Sequence, residues 1–225
     1  MTIEVFFRNQ LDVPKELGAR LFQVTCWISF YHRDQHRLSG GLSVEHCFTV
    51  MGDMLDIWRD PIVVAGGGLD EDVIIAAGLH DVVEDTNVTL DMIAAVFGSN
   101  VAYLVKGCSK KPLELFDGDV VAQQNDLHLT ILSHAEQHYG VILIRLGCRQ
   151  HNQETIKGLP VDRQIAMADD TLDFYLPLLG NEARILVPTH LHPVLDRYAR
   201  KLEYNALAIL PANPVGPKSS SRVLP

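Results

Sequence analysis

A chain of 225 residues, 47% hydrophobic and 21% charged, is long enough for one well-buried domain and short for two. Its formal net charge of −9 argues against broad nucleic-acid binding, which needs a basic surface, although a pocket can be locally basic within an acidic whole. No apolar run reaches the roughly 18 residues that span a bilayer; the N-terminus lacks the long apolar core of a signal peptide, and Cys26, Cys47, Cys108 and Cys148 are scattered without a CxxC pair, so a cytoplasmic chain with free thiols and no membrane partner is expected.

Residues 15–31 (KELGARLFQVTCWISFY) and 43–58 (SVEHCFTVMGDMLDIW) carry apolar side chains at three-to-four spacing and are expected as amphipathic helices. The glycines at 66–68 read as a flexible joint, with neither the spacing nor the lysine of a phosphate loop. Residues 69–86 (LDEDVIIAAGLHDVVEDT) then read as one helix whose opening acids suit the positive end of the helix dipole. Thr89 can cap, and Gly98 can end, a helix over 89–98. Residues 119–139 form a longer, more polar helical pattern; the two histidines of HAEQHYG at 134–140 lack the HExxH order and read as a solvated face. The run VILIRLG at 141–147 would suit a buried strand, but no second strand exists to pair with it, so a helix is expected. Two further amphipathic helices cover 161–179 and 194–209; the apolar face of LDFYLPLL at 172–179 is expected against other helices, with homo-oligomerisation left open. The Pro- and Ser-rich end, 211–225, reads as a disordered tail, which leaves one all-α domain over 1–210.

The chemistry concentrates in HDVVEDT at 80–86. On a helix, His80 with Glu84 and Asp81 with Asp85 are each four apart, so all four share one face. A His–Asp pair suits a hard or borderline divalent ion, and carboxylates one turn away can orient a water or take its proton. The same spacing is also what the wet side of an amphipathic helix shows. The wholly apolar residues 73–79 tip the balance, because three carboxylates at the end of a buried helix repel one another unless a cation or ligand compensates. His46, among core-like residues of the second helix, and the segment CRQHN at 148–152 are the candidate sources of further ligands.

With these residues in view, the chain resembles the hydrolase domain of the RelA/SpoT alarmone enzymes, a branch of the HD phosphohydrolase superfamily, and by its length the small alarmone hydrolases. The resemblance runs from about residue 20 to about residue 180, through QHRLSGGLSVEH (35–46), HDVVEDTNVTLDMIAAVFGSNVAYLVKGCSK (80–110), VILIRLGCRQHN (141–152) and DDTLDFYLPLL (169–179). It implies a helical HD domain that removes the 3′-pyrophosphate from guanosine tetra- or pentaphosphate with Mn²⁺, as in the stringent response. It makes His46, His80 and Asp81 metal ligands, and Glu84 and Asp85 the pair that handles the attacking water. It sets Arg37 and Ser39 beside the nucleotide pocket and Asn152 near the ribose and scissile phosphate. Lys110 matches a lysine that could contact phosphate or simply face solvent. Arg149 would either stabilise the leaving pyrophosphate or hold its helix through a buried carboxylate.

Three departures stand against the family pattern. The usual L-A-D-R-x-H-N is here LGCRQHN, so Cys148 occupies the place of the fourth ligand, an Asp; SGEP appears as SGGL; and Cys47 replaces the proline after His46. A thiolate binds Mn²⁺ but favours softer ions such as Zn²⁺. Three activities remain open at this point: alarmone hydrolysis with a modified site, an HD phosphohydrolase acting on another nucleotide, or a catalytically degenerate nucleotide-binding protein.

Overall fold

The computed structural model describes residues 13–210; the tail expected at 211–225 lies outside the described residues. Among those residues the fold is all α, with no strand beyond an isolated bridge between His36 and Leu42. In chain order the helices are α1 (Lys15–Tyr31), α2 (Ser43–Arg59), α3 (Pro61–Gly66), α4 (Glu71–Leu79), α5 (Val82–Asp85), α6 (Leu90–Phe97) and α7 (Ser99–Cys108). They continue with α8 (Val120–Ala135), α9 (Gly140–Glu154), α10 (Val161–Asp170), α11 (Leu176–Gly180), α12 (Glu182–Leu186) and α13 (His192–Ile209).

Two helices without a wet face form the centre. In α4 every residue from Val73 to Leu79 is buried, and in α9 every residue from Gly140 to Arg149. A helix apolar all round is stable only when surrounded, and α4 packs against α1, α2, α7 and α9. Each Val, Ile or Leu so buried contributes about 1.5–3 kcal/mol. The start of α4 is fixed by Asp70, whose side chain accepts the N–H of Asp72 at 2.9 Å. Asp70 also pairs with His138 at 3.1 Å, which absorbs one of the two histidines of HAEQHYG. The 141–147 run is a helix, because α2, α4, α7, α8 and α13 enclose it and no sheet is there to receive it.

The segment 69–86 is not the single helix its periodicity predicts. His80 Nδ1 lies 2.7 Å from the Ala77 carbonyl, the group that the Asp81 N–H would take to continue the helix. The chain turns at His80 and Asp81 and restarts as the one-turn α5, capped by the Asp81 carbonyl accepting from the N–H groups of Glu84 and Asp85. The 119–139 pattern also stops early, at Ala135, and α3 and α7 are helices the periodicity did not announce.

Gly78 shows how closely α4 is surrounded. A Cβ there would stand 2.6 Å from Val24 Cγ1 and 2.8 Å from Met51 Sδ, so α1 and α2 approach its bare backbone. Gly78→Ala is therefore expected to destabilise the protein by about 1–3 kcal/mol through overpacking, despite alanine's better helix propensity. Urea unfolding would show this as a lower midpoint; an unchanged midpoint would mean that the neighbours yield freely.

Candidate metal centre and adjoining cleft

Three helices meet where α4 ends. α2 brings His46 on its buried face, the turn after α4 brings His80 and Asp81, and the middle of α9 brings Cys148. One donor atom from each lies within 4.8 Å of the others. His46 Nε2 is 3.1 Å from His80 Nε2, 3.3 Å from Asp81 Oδ2 and 3.6 Å from Cys148 Sγ, and His80 Nε2 is 3.0 Å from Asp81 Oδ1. Ligand atoms about 2.0–2.3 Å from a shared ion stand roughly 2.8–4.6 Å from one another, from right-angled to opposite positions, so the donor set fits one divalent ion in both chemistry and size without requiring a closed tetrahedral sphere. Since a carbonyl only accepts, His80 Nδ1 carries a proton toward Ala77, and Nε2 is the nitrogen that faces the cluster.

The four groups hold one another's charge. Burial alone would raise the Asp81 carboxyl, but the imidazoles of His80 and His46 outweigh it and keep it well below the carboxylate range. Burial would likewise raise the Cys148 thiol, yet Arg145, His80 and His46 drive it well below the usual thiol value. The imidazoles respond in the opposite sense: burial would lower both, and Asp81 and Cys148 more than reverse this, so His46 is raised and His80 raised strongly. Carboxylate and thiolate are the ligand forms, and a bound ion takes the place of the imidazole protons.

Glu84 and Asp85 stand on α5 at the exposed rim of this cluster. Glu84 Oε1 accepts the backbone N–H of Lys110 at 2.7 Å, and the Asp85 carbonyl accepts from the Gln35 side chain at 2.7 Å. Desolvation, then repulsion from Asp81, pushes the Glu84 carboxyl up to about 7, with Arg145 and Lys110 opposing. The same two causes raise Asp85.

On the other side of His46 a cleft of about 350 Å³ opens, lined by Arg37, Ser39, Glu45, His46, His151 and Lys157 among others. Arg37 is half-buried there; one guanidinium nitrogen bonds Asn152 Oδ1 and the other lies 3.1 Å from His151 Nδ1. Gly158 also lines the cleft, and a Cβ there would lie 2.3 Å from the Ser39 carbonyl oxygen.

This chain matches the model of the HD domain over residues 27–185. The chain belongs to the HD-domain family. It is 33% identical over 171 residues to a probable guanosine-3′,5′-bis(diphosphate) 3′-pyrophosphohydrolase of Synechocystis, a match covering 76% of this chain and 21% of that protein. It is 33% identical over 169 residues to the bifunctional (p)ppGpp synthase/hydrolase SpoT of Escherichia coli, covering 75% of this chain and 22% of that one. The chain thus spans about a fifth of the length of these two relatives. The HD domain also shares the fold of a solved structure described as a metazoan ortholog of SpoT that hydrolyses ppGpp, with a TM-score of 0.52, 21% identity, and coverage of 88% of this chain and 95% of that one.

Within the HD domain, the residues singled out from sequence fall into three groups. His46, His80, Asp81 and Cys148 converge, Glu84 and Asp85 flank them, and Arg37, Ser39 and Asn152 gather at or beside the cleft. Lys110 reaches this region through its backbone N–H to Glu84. Arg149, expected either at the leaving pyrophosphate or as an anchor of its helix, is buried, paired with Asp170 of α10 and set 4.4 Å over the Tyr175 ring. Sequence reasoning missed Arg145, a buried cation whose charge lowers the pKa of both Cys148 and Glu84 while its guanidinium donates to the Cys108 carbonyl and the Tyr175 hydroxyl, each at 3.2 Å. A charged residue within VILIRLG was the available signal. His151, 2.7 Å from His46 Nδ1, was missed too, as was the buried His32, whose Nδ1 lies 2.6 Å from Gln35 Oε1. Burial and the neighbouring His46 and Arg37 push His151 down to about 3, so it is neutral.

No helix among the described residues is long and apolar enough to cross a membrane.

Proposed function

We propose that this chain is a metal-dependent phosphohydrolase that removes the 3′-pyrophosphate from nucleotides of the guanosine 3′,5′-bis(diphosphate) type. The observation that carries the reading is that His46 belongs to both places: Nε2 faces the donor cluster, and the same side chain lines the cleft. A phosphate held at the cluster therefore has its nucleoside beside Arg37 and Ser39. The names of the relatives support the choice of substrate.

His46, His80, Asp81 and Cys148 would hold the ion, which would supply Lewis acidity toward a phosphate oxygen and lower the pKa of a water. Glu84 takes the water's proton, its carboxylate aimed by the Lys110 N–H. Asp85 orients the same water, its peptide held by Gln35. Arg37 and Lys157 provide the cationic surface for the nucleotide's phosphates. The metal is Mn²⁺ by resemblance to the family, while the Cys148 thiolate supports a softer ion, and of the two we favour Zn²⁺.

Incubation with guanosine tetraphosphate and Zn²⁺ or Mn²⁺ is expected to yield GDP and pyrophosphate. An intact nucleotide with both ions, or loss of the 5′ phosphates instead, would overturn the assignment; turnover of other 3′-phosphorylated nucleotides alone would move it to another substrate.

The pH dependence follows from Glu84. Its folded pKa lies above the usual carboxylate value, so the rate should rise with pH as the base ionises, with an apparent pKa at or below about 7 because a bound cation favours the carboxylate. In the metal-free protein the same shift contributes stability that is present below pH about 4.5 and lost as the pH rises through about 7. Glu84→Gln should therefore remove the acidic limb of the rate profile and make the metal-free protein relatively more stable at about pH 8 than at about pH 5. Parallel melting curves for the two proteins at both pH values would contradict this.

A further inference from the structure

His46 has two ring nitrogens and one task for each, and the group that decides between them is His151. Its Nδ1 lies 2.7 Å from His46 Nδ1 and 3.1 Å from Arg37 Nη1. A guanidinium only donates, so the Arg37 contact requires His151 Nδ1 to carry its lone pair. The proton within the 2.7 Å contact then belongs to His46 Nδ1, which leaves Nε2 of His46 as the nitrogen that faces His80, Asp81 and Cys148 and that a bound ion would take. Arg37 is itself anchored by Asn152, so the donor that fixes His151 does not depend on a bound ligand. His80 reaches the same tautomer by a different route, through the Ala77 carbonyl.

We propose that His151, oriented by Arg37, is a positioning residue that locks His46 into the Nδ1–H tautomer and so presents Nε2 to the metal. The inference rests on the metal reading given above, and it assigns Arg37 a task apart from the nucleotide. Removing such an outer partner of a ligating histidine costs roughly 10–100-fold in metal affinity.

The test compares zinc affinity, by competition with a chelator, among the unaltered protein, His151→Phe and His151→Asn. Phenylalanine keeps a ring and removes the acceptor. Asparagine places an amide oxygen the same number of bonds from Cα as Nδ1. The relay predicts roughly 10–100-fold weaker zinc binding for His151→Phe and recovery to within a few-fold for His151→Asn. Equal affinity in all three would overturn it, as would equal loss in both variants while their melting temperatures stay near that of the unaltered protein. If His151→Phe does not fold, ¹⁵N-histidine spectra of the zinc-loaded, unaltered protein decide instead. A coupling across the hydrogen bond between His46 Nδ1 and His151 Nδ1, with the proton on His46, supports the relay, and a proton on His151 Nδ1 refutes it. Failure of the unaltered protein to take up zinc or manganese would sink the metal reading itself, whereas uptake without sensitivity to residue 151 would sink only the relay.

Discussion

His80→Ala is expected to lower divalent-metal affinity by more than roughly a hundredfold and to bring pyrophosphate release close to background. Loss of an outer partner already costs about 10–100-fold, and His80 is proposed as a direct ligand. His80 is wholly buried, with its Nε2 3.1 Å from His46 and 3.0 Å from Asp81. The variant thus loses one donor of four, together with the imidazole that stabilises both Asp81 and Cys148 as anions. It also frees the Ala77 carbonyl to accept the Asp81 N–H, so α4 can run on and carry Asp81 out of place. Metal per chain by mass spectrometry and pyrophosphate release from guanosine tetraphosphate, read on protein that keeps its helical circular dichroism, check the two parts. Stoichiometric, tightly held metal with undiminished turnover would remove His80 from the site.

The second large effect is one of preference. Cys148→Asp should strengthen Mn²⁺ binding and weaken Zn²⁺ binding, each by about tenfold or more, because a hard carboxylate oxygen replaces a soft thiolate in the same cluster. The surroundings accept the exchange: Arg145 already stabilises a negative charge at residue 148, and Asn152 Nδ2, 3.5 Å from Sγ, can donate to a carboxylate. Turnover with Mn²⁺ should rise with it. Chelator competition for both ions, before and after the substitution, measures the shift. An unaltered order of preference would mean that residue 148 does not touch the metal.

Much of this was legible in the sequence, and the exceptions have physical causes. The buried faces of α1 and α2 follow from apolar spacing, and α4 and α9 from unbroken apolar runs. The grouping of His46, His80, Asp81 and Cys148 could be anticipated from resemblance, since residues 34 to 102 positions apart owe their meeting to the packing of α2, α4 and α9 rather than to local pattern. The break at His80 was hidden because periodicity counts polarity and knows nothing of an imidazole competing for a backbone carbonyl. Arg149 and Arg145 show the same limit. Both are arginines on one buried helix, and only their three-dimensional surroundings distinguish them: Arg149 pairs with Asp170, while the charge of Arg145 acts on Cys148 and Glu84. His151 was masked by its neighbour Asn152, on which the resemblance had fixed attention.

One divalent ion is proposed between His46, His80, Asp81 and Cys148. X-ray absorption at the zinc edge of the stoichiometrically loaded protein tests it most directly. The expected spectrum has one sulfur at about 2.3 Å and nitrogen or oxygen ligands at about 2.0–2.2 Å, with the sulfur lost in Cys148→Asp. A coordination sphere of nitrogen and oxygen alone in the unaltered protein, or failure to load one ion per chain, would contradict it.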